Sequence, residues 1–416
     1  MNRRDFFRVS SSGVAMAAGA APALAARGAR GETLSATAFG AVGDGKADDT
    51  GALQSALDAI ATAPRAGILV LPPGDYRVTR PLRLDLNRKR IDGVWGISAY
   101  GARLRSGISD GGDVLTVDSA TVARFFLIEG LGVRGSGRDG NGVAFHCDGQ
   151  GHYLYNAALR DVVAEGCGGD GCRMIGNIFE SQLINCYFRD NGRNGMTLGH
   201  GKDGGVLSAM HAFGCVFGGN GRHGAALIRR TNDVSFSGCY FLENAKYGLV
   251  AANGCALLAH SGFENNHDSA AGFADGGAGL RLNVSGTLIG CTAYSIRNQT
   301  HLVSGYIRNQ LVLVGCTASG GGRAGKAGLA SLKGDRSAEA MIIGSTGAVR
   351  NEGGLALTEL GRQGFGARFG DRWDGGNLVR LGDHTLWVDA HGALRIKKGR
   401  PASDTDGRPA GVGDGG

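Results

Sequence analysis

One motif recurs through the middle of the chain and constrains the fold more than any other feature. Cys186-Tyr-Phe-Arg-Asp-Asn191 leads to Gly195-Met-Thr-Leu198, and Cys215-Val-Phe-Gly-Gly-Asn220 to Gly224-Ala-Ala-Leu227. Cys239-Tyr-Phe-Leu-Glu-Asn244 leads to Gly248-Leu-Val-Ala251, and Gly262-Phe-Glu-Asn-Asn266 to Gly279-Leu-Arg-Leu282. The asparagines stand 29, 24 and 22 residues apart. A period of this length marks a stacked repeat. Each unit offers two or three short alternating strands between Gly and Asn turns, and no long amphipathic helix. Such a unit is one coil of a right-handed parallel β-helix, an all-β solenoid. Weaker copies precede (Phe126 to Phe145, Leu159 to Ile175) and follow (Leu288 to Ile307, Leu313 to Leu332, Met341 to Leu357). The solenoid is therefore expected over 65–360.

Stacking at the strand spacing of about 4.8 Å turns equivalent positions into ladders. Phe188, Phe217, Phe241 and Phe263 are expected to form an inward aromatic stack. Asn191, Asn220, Asn244 and Asn266 are expected to form an amide ladder that satisfies turn backbone groups. Cys186, Cys215, Cys239, Cys291 and Cys316 share one local frame, which predicts buried thiols rather than disulfides. The composition agrees: 76 Gly with 7 Pro in 416 residues supplies tight turns without a collagen-like or Pro-rich character.

The ends read differently. Arg3-Arg4, a weak apolar stretch and Ala23-Leu24-Ala25 resemble a twin-arginine export signal over 1–26, which places the chain in the periplasm or outside the cell. That stretch is too short to span a bilayer, so no membrane span is expected. Residues 27–64 hold an opening motif and an amphipathic capping helix, Asp49 to Ala63. Residues 361–400 form a C-terminal cap with a hairpin over Thr385 to Lys397, and 401–416 a mobile tail. The net charge of +7 suits an acidic polymer, and equally suits solubility alone. Lys and Arg do not run interleaved with aromatics, so no nucleic-acid partner is expected.

Ala38-Phe-Gly-Ala-Val-Gly-Asp-Gly-Lys-Ala-Asp-Asp-Thr50, followed by the helix and by Gly67-Ile-Leu-Val-Leu-Pro-Pro-Gly-Asp-Tyr76, resembles the opening motif of the pectate-lyase-like β-helix superfamily. That group includes polygalacturonase-type hydrolases, polysaccharide lyases, uronan epimerases and phage tailspike depolymerases. The resemblance implies the fold and a polysaccharide or oligosaccharide substrate, but not the reaction. It makes Asp44, Asp48 and Asp49 turn and N-cap residues of the helix. Leu386-Trp-Val-Asp, Leu394-Arg-Ile-Lys and Asp404-Thr-Asp-Gly resemble termini appended to tailspike-like β-helices, which implies capping or a homo-oligomer such as a trimer. The polygalacturonase branch carries acidic pairs before the Gly-apolar-x-apolar strand; here only Asp170 matches.

In such folds substrate lies along the outer face of one parallel sheet. We take this to be the Gly-apolar-x-apolar strands, whose outward residues include Ala144, Arg173, Thr197, Ala226, Val250 and Arg281. The preceding turns offer Asp139, Asp170, Arg193, Arg222, His223, Lys246 and Tyr247. An expanded turn from His267 and Asp268 to Ala278 forms a wall or lid. This set suits uronate β-elimination: a cation to hold the carboxylate-derived enolate and a base near the α-carbon. His223 or Lys246 is the candidate base, Arg222 the carboxylate partner, Tyr247 the acid, and Asp170 completes the catalytic set. Asp139, Arg173, Arg193, His267, Asp268 and Arg281 are candidate substrate contacts. The same groups could run C5 epimerisation. A hydrolase or an intramolecular glycosyl-transferring enzyme would need a carboxyl pair, for which Asp139 and Asp170, about one coil apart, are the candidates, with Glu243 and Asp190 about two coils apart. A non-catalytic glycan-binding β-helix is the third reading. A second polar ledge follows the same strands: His146, Asp148, His200, Lys202, Asp203, Arg229, Arg230 and Asp233. No cofactor is demanded by these residues. Ca2+ at Asp-rich turns stays open, although no EF-type ligand spacing occurs.

Overall fold

The structure, a computed structural model, describes residues 32–409 apart from 64–66, 87–92, 200–204, 229, 252–253, 267–277, 284, 296–298, 300, 321–327, 336, 352, 354, 361–378, 382, 390, 392, 400 and 402–404. The segment 1–26, read above as resembling an export signal, lies outside the described residues, as do His267, Asp268, His200, Lys202, Asp203 and Arg229.

Each coil passes through three sheets. Cys172–Gly176 belongs to the first, Ile178–Ile184 to the second and Tyr187–Arg189 to the third; Met196–Gly199 then returns to the first. Among the described residues, sheets 1 and 3 have eleven strands each, all in parallel pairs, and sheet 2 has nineteen. The strands of sheet 1 that matter below are β1 (Val143–Cys147), β2 (Cys172–Gly176), β3 (Met196–Gly199), β4 (Ala225–Ile228), β5 (Leu249–Ala251) and β6 (Ala278–Leu282). The architecture is a right-handed parallel β-helix.

The repeat positions become continuous internal columns. Phe188, Phe217, Phe241 and Phe263 stack with centroid spacings of 5.9, 4.9 and 4.8 Å. Burying each ring contributes about 1.5–3 kcal/mol. Asn191 Nδ2 donates to Asn220 Oδ1 (3.1 Å), Asn220 to Asn244 (2.9 Å) and Asn244 to Asn266 (2.8 Å), and the ladder ends on Gln299. The thiols of Cys186, Cys239 and Cys316 donate to carbonyls of the preceding coil, each at 3.4 Å. Ser261 and Ser345 occupy the same column, their hydroxyls accepting the backbone N–H of Cys239 and Cys316.

Parallel pairing starts before the helix, where Glu32–Ser35 pairs with Gly67–Val70. The opening motif is thus already part of a coil. Helix α1 (Thr50–Thr62) buries Leu53, Ala56, Leu57 and Ile60. Asp49 stands at its N-cap position but makes no side-chain cap bond. Its backbone already has helical angles (φ −83°, ψ 0°), and its carboxylate instead accepts the N–H groups of Val42 and Gly43 at 2.6 and 3.1 Å. Asp48 accepts from Thr50 N at 3.1 Å and from the Thr79 hydroxyl at 2.7 Å, tying the helix to the next coil. At the other end, sheet 2 turns antiparallel: Ala356–Leu360 pairs with Val379–Leu381, then His384–Val388 and Leu394–Lys398 form a hairpin.

Candidate active-site groove

The residue just before the sheet-1 strand, followed by Val114 in one coil and by a glycine in the next four, occupies one column, and its side chain has a backbone task. Asp113 Oδ1 accepts from Asn141 N (2.7 Å), Asn141 Oδ1 from Asp170 N (2.9 Å) and Asp170 Oδ1 from Asn194 N (3.0 Å). Asn194 Oδ1 then accepts from His223 N (3.1 Å), and His223 Nδ1 from Tyr247 N (3.3 Å). The strand glycines keep this turn tight: a Cβ on Gly224 would lie 2.4 Å from Gly248 O. Asn141 and Asn194 escaped the sequence reading of the site. Their signal was the position itself, directly before Gly142 and Gly195.

The floor is an outward column in which Ala144, Arg173, Thr197, Ala226, Val250 and Arg281 oppose one another from β1 to β6. Although outward-facing, Ala144, Thr197 and Ala226 are buried. One lip is cationic. Arg193 N donates to Gly169 O, Arg222 N to Arg193 O and Lys246 N to Arg222 O, which places Arg193, Arg222 and Lys246 on three successive coils. Arg193 and Arg222 are exposed and Lys246 is half-buried.

Two clusters border this lip. At one end Asp170 is fully buried; its Oδ2 lies 3.1 Å from Arg173, and its Oδ1 lies 3.9 Å from Arg193 and accepts from Asn194 Nδ2 at 3.1 Å. Asn194 Nδ2 also reaches the Thr197 hydroxyl at 3.0 Å. At the other end the rings of His223 and Tyr247 stack at 5.7 Å, and Arg281 donates to the Tyr247 phenol oxygen at 3.0 Å. Tyr247 thus reaches from the ladder column over to the floor. Because His223 Nδ1 accepts a backbone N–H, its neutral ring carries the proton on Nε2.

Asp139 is not in Asp170's column. It lies beside Gly168, whose N–H it accepts at 2.8 Å, while its other oxygen accepts from Ser136 N at 3.0 Å. On the second ledge, His146 faces Asp118 at 3.4 Å, and Arg83 spans Asp118 and Asp85 at 2.8 and 2.7 Å. Arg230 and Asp233 are exposed there. Among the described residues, no three His, Cys, Asp or Glu side chains converge as metal ligands.

Fold and groove together define a right-handed parallel β-helix with a cationic lip beside sheet 1. Three family models match parts of the chain: rhamnogalacturonase A/epimerase, pectate lyase-like, over 33–91; right handed beta helix region over 126–289; and capsule depolymerase over 353–413. The chain is similar to mannuronan C5-epimerase AlgE2 of Azotobacter vinelandii, 31% identical over 280 residues. That match covers 59% of this chain and 25% of AlgE2, so the chain spans about a quarter of that relative's length. Two solved structures share the fold. ORF18 of Geobacillus virus E2 aligns with a TM-score of 0.63 at 17% identity, over 91% of this chain and 75% of that one. The enzymatically active domain of bacteriophage CBA120 tailspike protein 2 aligns with a TM-score of 0.57 at 12% identity, over 86% and 60%.

Proposed function

We propose that this chain is an exported carbohydrate-active enzyme that removes the proton α to the carboxylate of a uronate residue, in an acidic polysaccharide lying along sheet 1. The observation behind this reading is the contrast between the groove's cations and its carboxylates. Arg193, Arg222 and Lys246 line three successive coils. Asp139 and Asp170 are both buried and both engaged, the first by backbone N–H groups and the second by Arg173 and Asn194. A hydrolase needs two carboxyls available to the sugar; uronate chemistry needs cations at the carboxylate and a group to move a proton.

Arg222 and Lys246 hold the substrate carboxylate and stabilise the enolate that forms as the proton leaves. Tyr247 moves the proton: its phenol oxygen is held over the floor by Arg281 at 3.0 Å. His223 serves better as an Nε2–H donor to the sugar than as the base, since its Nδ1 is occupied. Asp170 orients Arg173 and Asn194. In elimination, the electron pair of the broken C5–H bond passes through the enolate into a C4–C5 double bond. O4 then leaves with a proton, giving an unsaturated uronate and a new reducing end. Epimerisation returns the proton to C5 from the opposite face; the similarity to a mannuronan C5-epimerase favours this second outcome.

The test is a panel of uronate polymers incubated with mature protein in D2O. Absorbance rising at 235 nm reports elimination, and deuterium at C5 with no such rise reports epimerisation. New reducing ends with neither signal would overturn the proposal in favour of hydrolysis.

A further inference from the structure

The outer face of sheet 3 carries a second cationic track that the groove chemistry does not use. Arg77, Arg105 and Arg134 oppose one another directly on three successive coils, on strands Gly74–Val78, Ala102–Ser106 and Gly132–Arg134. The column continues through Glu165 to Arg189. Arg103 lies two residues before Arg105, opposite Asp75. Like charges directly opposite each other across a sheet, at about 4.8 Å per coil, work against folding.

The compensation is partial and shared, and Arg189 also lies 3.9 Å from Asp190. Asp75 is shared by Arg103 and Arg105, both at 3.7 Å, and Glu165 lies 3.8 Å from Arg134. Glu165 is already held by Arg189 at 2.9 Å. Asp48, opposite Arg77, is hydrogen-bonded to Thr50 and Thr79. The side chains of Arg103, Arg105 and Arg134 are about half exposed, so these pairs are solvated and contribute little. The column keeps its register from coil to coil, and it runs along the solenoid axis parallel to the groove. A regular row of exposed guanidiniums fits an extended polymer with repeating anionic groups, each arginine matching a carboxylate.

We propose that this face is an exosite for an acidic polysaccharide, gripping a stretch of polymer outside the catalytic groove. Its ligand class rests on the uronate reading of the groove. The two sites together raise affinity for long chains over short ones by effective concentration.

The test uses the full chain carrying Tyr247→Phe, so that substrate is consumed far more slowly than it binds. Binding is measured by calorimetry for a long uronate polymer and for an oligosaccharide that fills only the groove. Adding Arg105→Ala and Arg134→Ala should lower affinity for the polymer about ten-fold and leave the oligosaccharide unchanged. Arg105→Lys with Arg134→Lys should keep most of the polymer affinity. Unchanged polymer affinity in the alanine variant overturns the exosite, and a lost affinity in Arg222→Ala would show that the groove reading survives it. Equal loss of affinity for DNA of matching charge overturns it too, by showing a general polyanion surface. Absence of binding to every uronate polymer would overturn both readings.

Discussion

Tyr247 occupies a position where other coils place Asp113, Asn141, Asp170, Asn194 and His223, each lending an acceptor to the next coil's N–H. Its phenol is instead directed to Arg281. Tyr247→Phe keeps the ring against His223 and removes only that oxygen. Turnover of a responsive polymer should fall about 10²-fold or more, with a thermal midpoint within a degree or two of the parent. A matching fall in stability would mean the oxygen serves the fold. The sequence pattern located this column, because the residue before each strand glycine is easy to count. It could not show that His223 Nδ1 is occupied or that Asp139 stands outside Asp170's column. Both depend on the register between coils of unequal length, 29 residues in one case and 24 in the next.

At the scale of elements, the internal ladders hold neighbouring coils together. Asn220 is buried; it donates to Phe188 O and Asn244 Oδ1 and accepts from Asn191 N and Nδ2. Asn220→Ala leaves several buried groups unpaired and should cost about 3 kcal/mol in a urea melt. A cost under about 0.5 kcal/mol would show that the ladder is ornamental. The C-terminal hairpin relies on a different device. Arg395, with the N–H groups of Ala393 and His391, holds the Asp389 carboxyl below its usual range. A carboxyl lowered on folding contributes fully above its unfolded value and loses that contribution as pH falls through the folded one. Peptic cleavage within 379–409 should therefore rise below about pH 4. Arg395→Ala should raise cleavage at every pH and flatten its pH dependence. Cleavage in the parent that ignores pH would contradict the assignment.

Across the whole molecule, the fold was largely legible because its core repeats: aromatic, amide and thiol positions recur at fixed offsets, and stacking turns each recurrence into a contact. The opening coil was less so, since Glu32–Ser35 resembles no repeat and finds its place only by pairing with Gly67–Val70. The thiols test the packing of the entire rod. The side chains of eight of the nine cysteines are described, and all eight are buried and free of disulfides. Burial pushes the Cys147 thiol up to about 12 and that of Cys172 higher still. The native protein should therefore show at most one thiol reactive to a colorimetric disulfide reagent at pH 8, and the denatured chain nine. Several reactive thiols in the native state would mean that the coils open readily. The turn ladder has a consequence for descent. Any side chain that offers an acceptor can fill a ladder position, so a copied coil arrives with its backbone already satisfied. A lineage that duplicates coils lengthens its groove one step at a time, and a single codon then decides whether the newcomer is inert masonry or a working part.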